Sequence, residues 1–296
     1  MEIRKAGDAD AEAVVSILLG ADDARVLSPQ AWLHMRHTRP ERQKAQELVA
    51  EDAGSVVGVA ASGLDTWAAG DDIGWCNVAV APSSRRQGVG AALYERAVAH
   101  LADIGVHRAT AFIRYSEEGE RWATARGWSR RITGPLIAVD PRAVPAPEIP
   151  EGLRCVPMAE LEPTAVYEAA AEAAHDEPRA EPLENLPYED FLRDWQSPDI
   201  DLESSAAVVD GDQVASFAFL YVAGDRAQHG FTGTRRAYRG RGLATTAKRA
   251  ALRAAAARGV DRVTTSNAEQ NAAMRAINRK LGFEPIGEHV IIGRDF

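Results

Sequence analysis

Four arginines and two glycines fall within the ten residues Arg235–Ala244, immediately ahead of an alanine-rich stretch. Those residue types at that spacing suit the holding of an anion. Gly240 and Gly242 let the backbone turn tightly and approach a ligand, and Leu243, Ala244, Ala247, Ala250, Ala251 and Ala254 give the following segment a helical apolar stripe. Unpaired amides at the helix start and the helix dipole would face the loop, while Arg235, Arg236, Arg239 and Arg241 add neutralising charge. The chemistry expected here is phosphate binding.

The loop occurs twice. Arg85, Gly88, Gly90, Gly105, Val106 and Arg108 recur 154 residues later as Arg239, Gly242, Ala244, Gly259, Val260 and Arg262, with a helical pattern between loop and glycine in both places. Repetition at one offset predicts two copies of one structural unit.

The elements that must position these loops follow from the hydrophobic pattern. A strand over residues 1–5 leads to a helix over Asp8–Leu19, and Ser28-Pro29 caps a second helix. Strands are expected at Glu47–Glu51, Ser55–Ser62 and Gly74–Pro82, the last delivering the chain into Ser83–Gly90. The helix after that loop carries Val89, Leu93, Ala97, Leu101 and Ile104 and stops at Gly105. A strand at Arg108–Ile113, a short helix over Glu117–Arg126 and a strand at Leu136–Val139 complete the first half. Four prolines between Asp140 and Pro150 mark a semi-rigid linker. The expected domains are therefore 1–140 and 152–296, joined by 141–151. The second half repeats the plan and ends on a helix whose start, Asn267-Ala268-Glu269-Gln270, has the form of a capping box; Asn267, Asn271 and Asn278 are expected along one polar stripe of it.

Bulk composition excludes several function classes. A net charge of −9, from 34 basic and 43 acidic residues, argues against nucleic acid and anionic membrane as partners. No secretory signal or apolar run of membrane-spanning length is visible, and Cys76 and Cys155 fall one in each half, so a reducing cytoplasm is expected and a disulfide framework is not. The scattered histidines and cysteines offer no metal-ligand spacing. The six tryptophans show no stacking pattern and read as core or interface.

With these motifs in place, each half resembles the GNAT superfamily of N-acetyltransferases, whose acetyl-CoA loop reads (Arg/Gln)-x-x-Gly-x-(Gly/Ala) between a strand and a helix. Arg85-Arg86-Gln87-Gly88-Val89-Gly90 and Arg239-Gly240-Arg241-Gly242-Leu243-Ala244 have that form, and Asn267–Phe283 is similar to the family's asparagine-containing helix ending in Gly-Phe. The layout resembles the actinobacterial tandem type, of which mycothiol synthase is one. The resemblance implies an α/β fold with two GNAT-like domains, each a mixed, mostly antiparallel V-shaped sheet flanked by helices.

It also implies acetyl-CoA, or another acyl-CoA, as the donor, with its pyrophosphate on the loop amides and its pantetheine along the preceding strand. The implied contacts are Phe231, Thr232, Gly233 and Thr234, then Arg239, Gly240, Arg241, Gly242, Leu243 and Ala244, with Asn267 and Asn271. In the first half they are Val78 and Val80, then Arg85, Arg86, Gln87, Gly88, Val89 and Gly90. The implied reaction is direct acetyl transfer to a small-molecule primary amine by a monomer or homodimer. It requires a base, an oxyanion donor and an acid for the leaving thiolate.

The family's acid is commonly a tyrosine four residues before the Gly-Phe glycine. Here that place holds Asn278 in the second half and Ala123 in the first. Because the first half also lacks the asparagines, the C-terminal domain is expected to be catalytic and the N-terminal one to be structural or CoA-binding. His229 and Tyr221 are the candidate proton-transfer groups beside Asn278, and Asp176 and Glu177, in an acidic connection that would border the acceptor site, are candidates for a cationic substrate. Two rival readings stay open: a non-catalytic CoA-binding regulatory protein, and a transferase taking a larger acyl group, including one from an acyl-carrier protein.

Overall fold

A computed structural model describes residues 1–184 and 186–296. The chain forms two compact units. One comprises Met1–Thr133, Ala180–Glu184 and His289–Phe296; the other comprises Gly134–Arg179 and Asn185–Glu288. The chain thus passes between units at Thr133/Gly134, ahead of the proline-rich segment, and its last eight residues belong with its first half.

The N-terminal unit contains β1 (Glu2–Lys5), α1 (Ala11–Ala21), α2 (Pro29–Thr38), β2 (Gln46–Asp52), β3 (Ser55–Leu64), β4 (Ile73–Val80), α3 (Val89–Asp103), β5 (Arg108–Arg114) and α4 (Glu117–Thr124). Strands β1 to β4 are antiparallel neighbours, β4 and β5 are parallel, and β5 is then paired antiparallel by His289–Asp295. Side-chain alternation places helices on both faces. Val49 of β2 and Val59 of β3 pack with Val14 and Val15 of α1 and Trp32 of α2, whereas Leu48 and Ala50 of β2 and Ala60 of β3 pack with Leu93, Ala97 and Leu101 of α3. The α2 boundary is the one expected from Ser28-Pro29: the Ser28 side chain accepts from the Ala31 amide at 3.0 Å.

After β6 (Ser129–Val139), the C-terminal unit contains β7 (Arg154–Pro157), α5 (Pro163–Ala174), α6 (Tyr188–Trp195), β8 (Ala206–Asp210), β9 (Gln213–Ala223), β10 (Arg226–Thr234), α7 (Leu243–Ala257), β11 (Val263–Ser266), α8 (Ala272–Lys280) and the start of β12 (Glu284–Asp295). Strands β7 to β10 are antiparallel, β10 and β11 are parallel, and β11 pairs antiparallel with Leu136–Val139. Here too a mixed sheet lies between helices, with α5 and α6 against Phe217 and Phe219 on one face and α7 against Val208, Ala215 and Ala218 on the other.

The proline-rich segment, expected as a semi-rigid linker, is held by contacts: Val144 is buried in the core, the Glu148 carbonyl accepts from Thr246 Oγ1 at 2.8 Å, and its carboxylate meets Arg249 Nη1 at 2.8 Å. One local expectation is corrected: α8 starts later than the capping box predicts. Its cap is Asn271, which accepts from the Met274 amide at 3.2 Å, while Asn267 lies on the preceding loop and accepts from Asn278 Nδ2 at 2.5 Å. The asparagines therefore face one another across a turn instead of forming a stripe, and Asn278 is buried. Among the described residues no helix is long and apolar enough to cross a membrane.

Candidate active site

In both units a helix begins at a glycine in left-handed conformation. Gly88 caps α3 with φ 84° and Gly242 caps α7 with φ 79°, and neither cap residue has a side chain to bond the first-turn amides. A glycine is required at these angles, and a Cβ built on either residue would meet nothing within 4 Å, so both loops border open space. The repeat extends two residues upstream: Arg86 adopts φ 60° where Gly240 has φ 77°. It also fixes the first arginine, since Arg85 Nε donates to the Val80 carbonyl at 3.2 Å and Arg239 Nε to the Thr234 carbonyl at 3.1 Å.

Beyond that point the two copies differ. In the N-terminal unit β4 and β5 pair only through Ile73–Trp75 and Arg108–Thr110; past these residues a cleft of about 490 Å³ opens between them. Val78, Val80, Arg85, Arg86, Gly88 and Gly90 line it, so the expected strand and loop contacts do face one space. Of the other two, Gln87 turns back to donate to the Ser83 carbonyl at 3.0 Å, and Val89 is buried under the loop. The only ion pair at this loop among the described residues is the exposed one between Arg86 Nε and Glu118 Oε1, at 3.1 Å.

The C-terminal loop is instead engaged by carboxylates of its own unit. Asp176 accepts from Arg239 Nη2 at 2.6 Å and from Arg236 Nη2 at 3.0 Å, and these two bonds drive its pKa down to about 2. Glu172 accepts from the Arg236 amide at 2.6 Å and from Arg235 Nε at 3.0 Å. Asp176 thus sits on the cradle arginines; Glu177 beside it lies 3.9 Å from Arg179. Of the strand residues, Phe231 packs on Phe217 at 5.2 Å, Thr234 Oγ1 bonds Ser216 Oγ at 2.8 Å, and a Cβ on Gly233 would come within 2.6 Å of Ala173 and Phe217. Arg241 stacks over Tyr238, and Leu243 and Ala244 begin α7.

The proton-transfer candidates of the C-terminal half sit in three different surroundings. His229 is buried within β10, its Nδ1 3.1 Å from the Phe219 carbonyl, and burial, reinforced by the Lys248 ammonium, holds its pKa well below the ordinary imidazole value. Tyr221 lies over Gly230, with its phenol pKa raised by burial and by Asp194. Asn278 is spent on Asn267. Three buried polar atoms here have no partner among the described residues: His229 Nε2, Thr232 Oγ1 and Asn278 Oδ1.

Sequence reading passed over Lys248, which looks like one more basic residue of an alanine-rich helix. It is buried, 5.5 Å over the Phe283 ring, and desolvation lowers its pKa to about 7. Its counterpart at the 154-residue offset is Tyr94. Tyr94 lines the N-terminal cleft, and its hydroxyl accepts from Trp128 Nε1 at 2.9 Å and from Arg294 Nη1. Both contacts use oxygen lone pairs, and no protein acceptor among the described residues takes the hydroxyl hydrogen. Tyr94 also touches Trp122 edge-on at 5.3 Å, one residue from Ala123, where the tyrosine of the resemblance would stand.

Sequence reading also missed a carboxylate–imidazole pair. Asp22, at the end of α1, lines the cleft; its Oδ1 accepts from the Ala24 amide at 3.1 Å and its Oδ2 lies 3.0 Å from His289 Nε2. Burial alone would raise the carboxyl pKa, but the hydrogen bond and charge of His289 and the Ala24 amide outweigh it, so Asp22 stays below the usual carboxylate range. His289 Nδ1 is buried and has no partner among the described residues, and the ring packs on Phe112 at 4.6 Å. Cys76, also on the cleft, has its thiol pushed up to about 12 by burial, which makes it a poor nucleophile.

Comparison with known proteins fits this geometry. A model of the acetyltransferase (GNAT) family matches residues 17–121, and one of the acetyltransferase (GNAT) domain matches residues 158–284, between them most of the chain. The chain belongs to the GNAT acetyltransferase family. It carries two GNAT domains, and as a GNAT protein it is an acyltransferase of a fold that binds acyl-CoA. The tandem GNAT protein from the clavulanic acid biosynthesis pathway superposes with a TM-score of 0.75 at 22% identity, over 99% of this chain and 98% of that one. A GCN5-related N-acetyltransferase from Sphaerobacter thermophilus gives 0.70 at 22%, over 99% and 95%. A putative acetyltransferase from Pyrococcus horikoshii gives 0.64 at 14%, over 100% and 89%. At these identities the likeness is one of fold. No curated protein sequence matches the chain.

Proposed function

We propose that the protein transfers an acetyl group from acetyl-CoA directly to a small primary amine, and that donor and acceptor meet in the N-terminal cleft. The carrying observation is the continuous path from the uncapped start of α3, past Arg85 and Val80, into a cleft holding Asp22 and Tyr94. This moves the chemistry from residues 152–296, where the sequence pattern put it, to the first unit.

The loop amides and Arg85 would take the pyrophosphate, and the β4 edge beyond Trp75, unpaired with β5, would receive the pantetheine arm. The acceptor's ammonium group first loses a proton to solvent water; the freed lone pair attacks the thioester carbon, a C–N bond forms, the C–S bond breaks with its electron pair left on sulfur, and nitrogen gives up a second proton. Asp22, held ionised by His289, accepts the amine's hydrogen. Tyr94, braced by Trp128 and Arg294, donates its hydroxyl hydrogen toward the departing sulfur. The high thiol pKa of Cys76 favours direct transfer over an acyl-enzyme on that residue.

A second reading is favoured for the C-terminal unit. Its loop keeps the glycines, yet Asp176 and Glu172 occupy its arginines and one loop amide, which supports a regulatory or structural role for that copy. The test of catalysis is amine-dependent appearance of free thiol from acetyl-CoA across a panel of primary amines, with the N-acetylated product identified by mass. Binding of acetyl-CoA without thiol release for any amine would support the non-catalytic reading for the whole protein.

A further inference from the structure

The lining of the N-terminal cleft carries both signs of charge. Asp22 has each oxygen anchored from behind, by Ala24 and by His289, so its remaining lone pairs are the ones available to the cleft. Three residues on, Arg25 also lines the cleft. Its backbone amide donates to the Asp22 carbonyl at 3.2 Å, closing the turn that sets the two side chains at one site. Yet the two form no salt bridge, and among the described residues the Arg25 guanidinium has no hydrogen-bond or ion-pair partner. It is desolvated enough that its pKa is lowered, with Asp22 offsetting only part of that effect. Arg114, another arginine of the lining, differs in being held by Asp23, Nε to Oδ1 at 3.2 Å.

A desolvated, unpaired guanidinium is unfavourable until an anion reaches it, and its planar fork fits a carboxylate with two parallel hydrogen bonds. A carboxylate with a bound neighbour and an arginine without one, side by side, make a receptor for a ligand carrying one positive and one negative group close together. We propose that the acceptor is a small zwitterion of the amino-acid class, its amine on Asp22 and its carboxylate on Arg25. The size of the cleft agrees, because about 490 Å³ must hold the donor's acyl end as well. The inference rests on the proposed acetyl transfer only in naming the ligand an acceptor; the charge pairing is a binding claim of its own.

The test is calorimetric titration of the full-length protein, saturated with CoA, with the proteinogenic L-amino acids and the matching L-amino-acid amides, which keep the amine and lose the anion. At least one amino acid is expected to bind about tenfold or more tightly than its amide. Arg25→Gln should bring the acid down to the affinity of the amide, Arg25→Lys should keep part of the preference, and Asp22→Asn should weaken acid and amide alike. Equal binding of acid and amide, equal weakening of both by Arg25→Gln, or no binding by any amino acid would overturn the proposal. Thiol release is read separately. An acid preference without turnover removes the acetyl transfer and keeps the receptor; turnover without an acid preference does the reverse.

Discussion

Asp22 and His289 stand 267 positions apart in sequence and 3.0 Å apart in space, and the pair ties the C-terminal strand to a cleft lined by Asp22, other residues of the first 128, and Ile292. The imidazole reaches Asp22 because the C-terminal strand pairs with β5, placing His289 opposite Arg114. Breaking a buried, hydrogen-bonded pair leaves an uncompensated charge, so His289→Ala is expected to destabilise the protein by about 3 kcal/mol. The same change should lower kcat/KM for the amine, while the affinity for acetyl-CoA stays near that of the wild type. Urea titration and steady-state kinetics check the two halves of this expectation.

Tyr94→Phe isolates one hydrogen. The ring, its edge contact with Trp122 and its place in the core survive, and only the hydroxyl held by Trp128 and Arg294 is lost. A general acid contributes about 10²- to 10⁴-fold, so kcat should fall by at least about 10²-fold with KM for acetyl-CoA little changed. A thiol leaving group with a low pKa needs less assistance. Replacing acetyl-CoA by an acetylated aromatic thiol should therefore restore much of the lost rate, which a merely structural role for Tyr94 would not produce.

Lys248 gives the C-terminal unit a pH signature. The unfolded lysine holds its proton up to the ordinary value of 10.5, whereas the buried one gives it up near 7. Between those values the unfolded state binds more protons, so stability rises with pH across that window, at up to about 1.4 kcal/mol per pH unit. Below it both states are protonated and the contribution is flat. Lys248→Met should remove the rise and should stabilise the protein most at the acid end. Denaturant midpoints from pH 6.5 to 10 for the two proteins test this.

Asp176 should act as a plug on the second loop. With its carboxylate on Arg236 and Arg239, an incoming phosphate must displace it. Asp176→Asn is expected to raise the affinity of the C-terminal loop for adenosine 3′,5′-bisphosphate, measured in a Gly88→Asp background so that the N-terminal loop is silent. The gain should shrink as salt is added, since these are exposed charges.

The parts of this molecule set by local chemistry were legible in the sequence. Gly88 and Gly242 announce their helices because only glycine suits a φ near 80°, and Ser28-Pro29 announces α2 because cap and first turn are adjacent residues. The 154-residue offset carried the duplication down to a single arginine-to-carbonyl bond. What stayed hidden depends on tertiary burial. Asn267 and Asn271 both fit a cap, and the choice fell to Asn271 because Asn278 claims Asn267 across the turn. The acidic run at 175–190 looked like solvated surface or substrate lining until two arginines met Asp176. Lys248 and Tyr94 have nothing in their neighbours to tell a buried functional group from a helix surface. The asparagines that made the second half look better equipped are in part spent on each other, Asn278 on Asn267, and the cleft beside the first loop has no local sequence signal because residues from α1 to Ile292 line it.

The central claim is that acetyl transfer runs in the N-terminal cleft, and one comparison bears on it most directly. Amine-dependent thiol release from acetyl-CoA is measured for the wild type, Gly88→Asp and Gly242→Asp. Each substitution places a carboxylate at a helix start, where it suits the dipole and repels pyrophosphate; the side chain has open space, and the left-handed φ of 84° and 79° strains the two variants alike, so that strain does not separate them. The account requires Gly88→Asp to lose turnover and Gly242→Asp to keep it. Turnover that survives Gly88→Asp and disappears with Gly242→Asp would contradict the account and return the chemistry to the C-terminal unit.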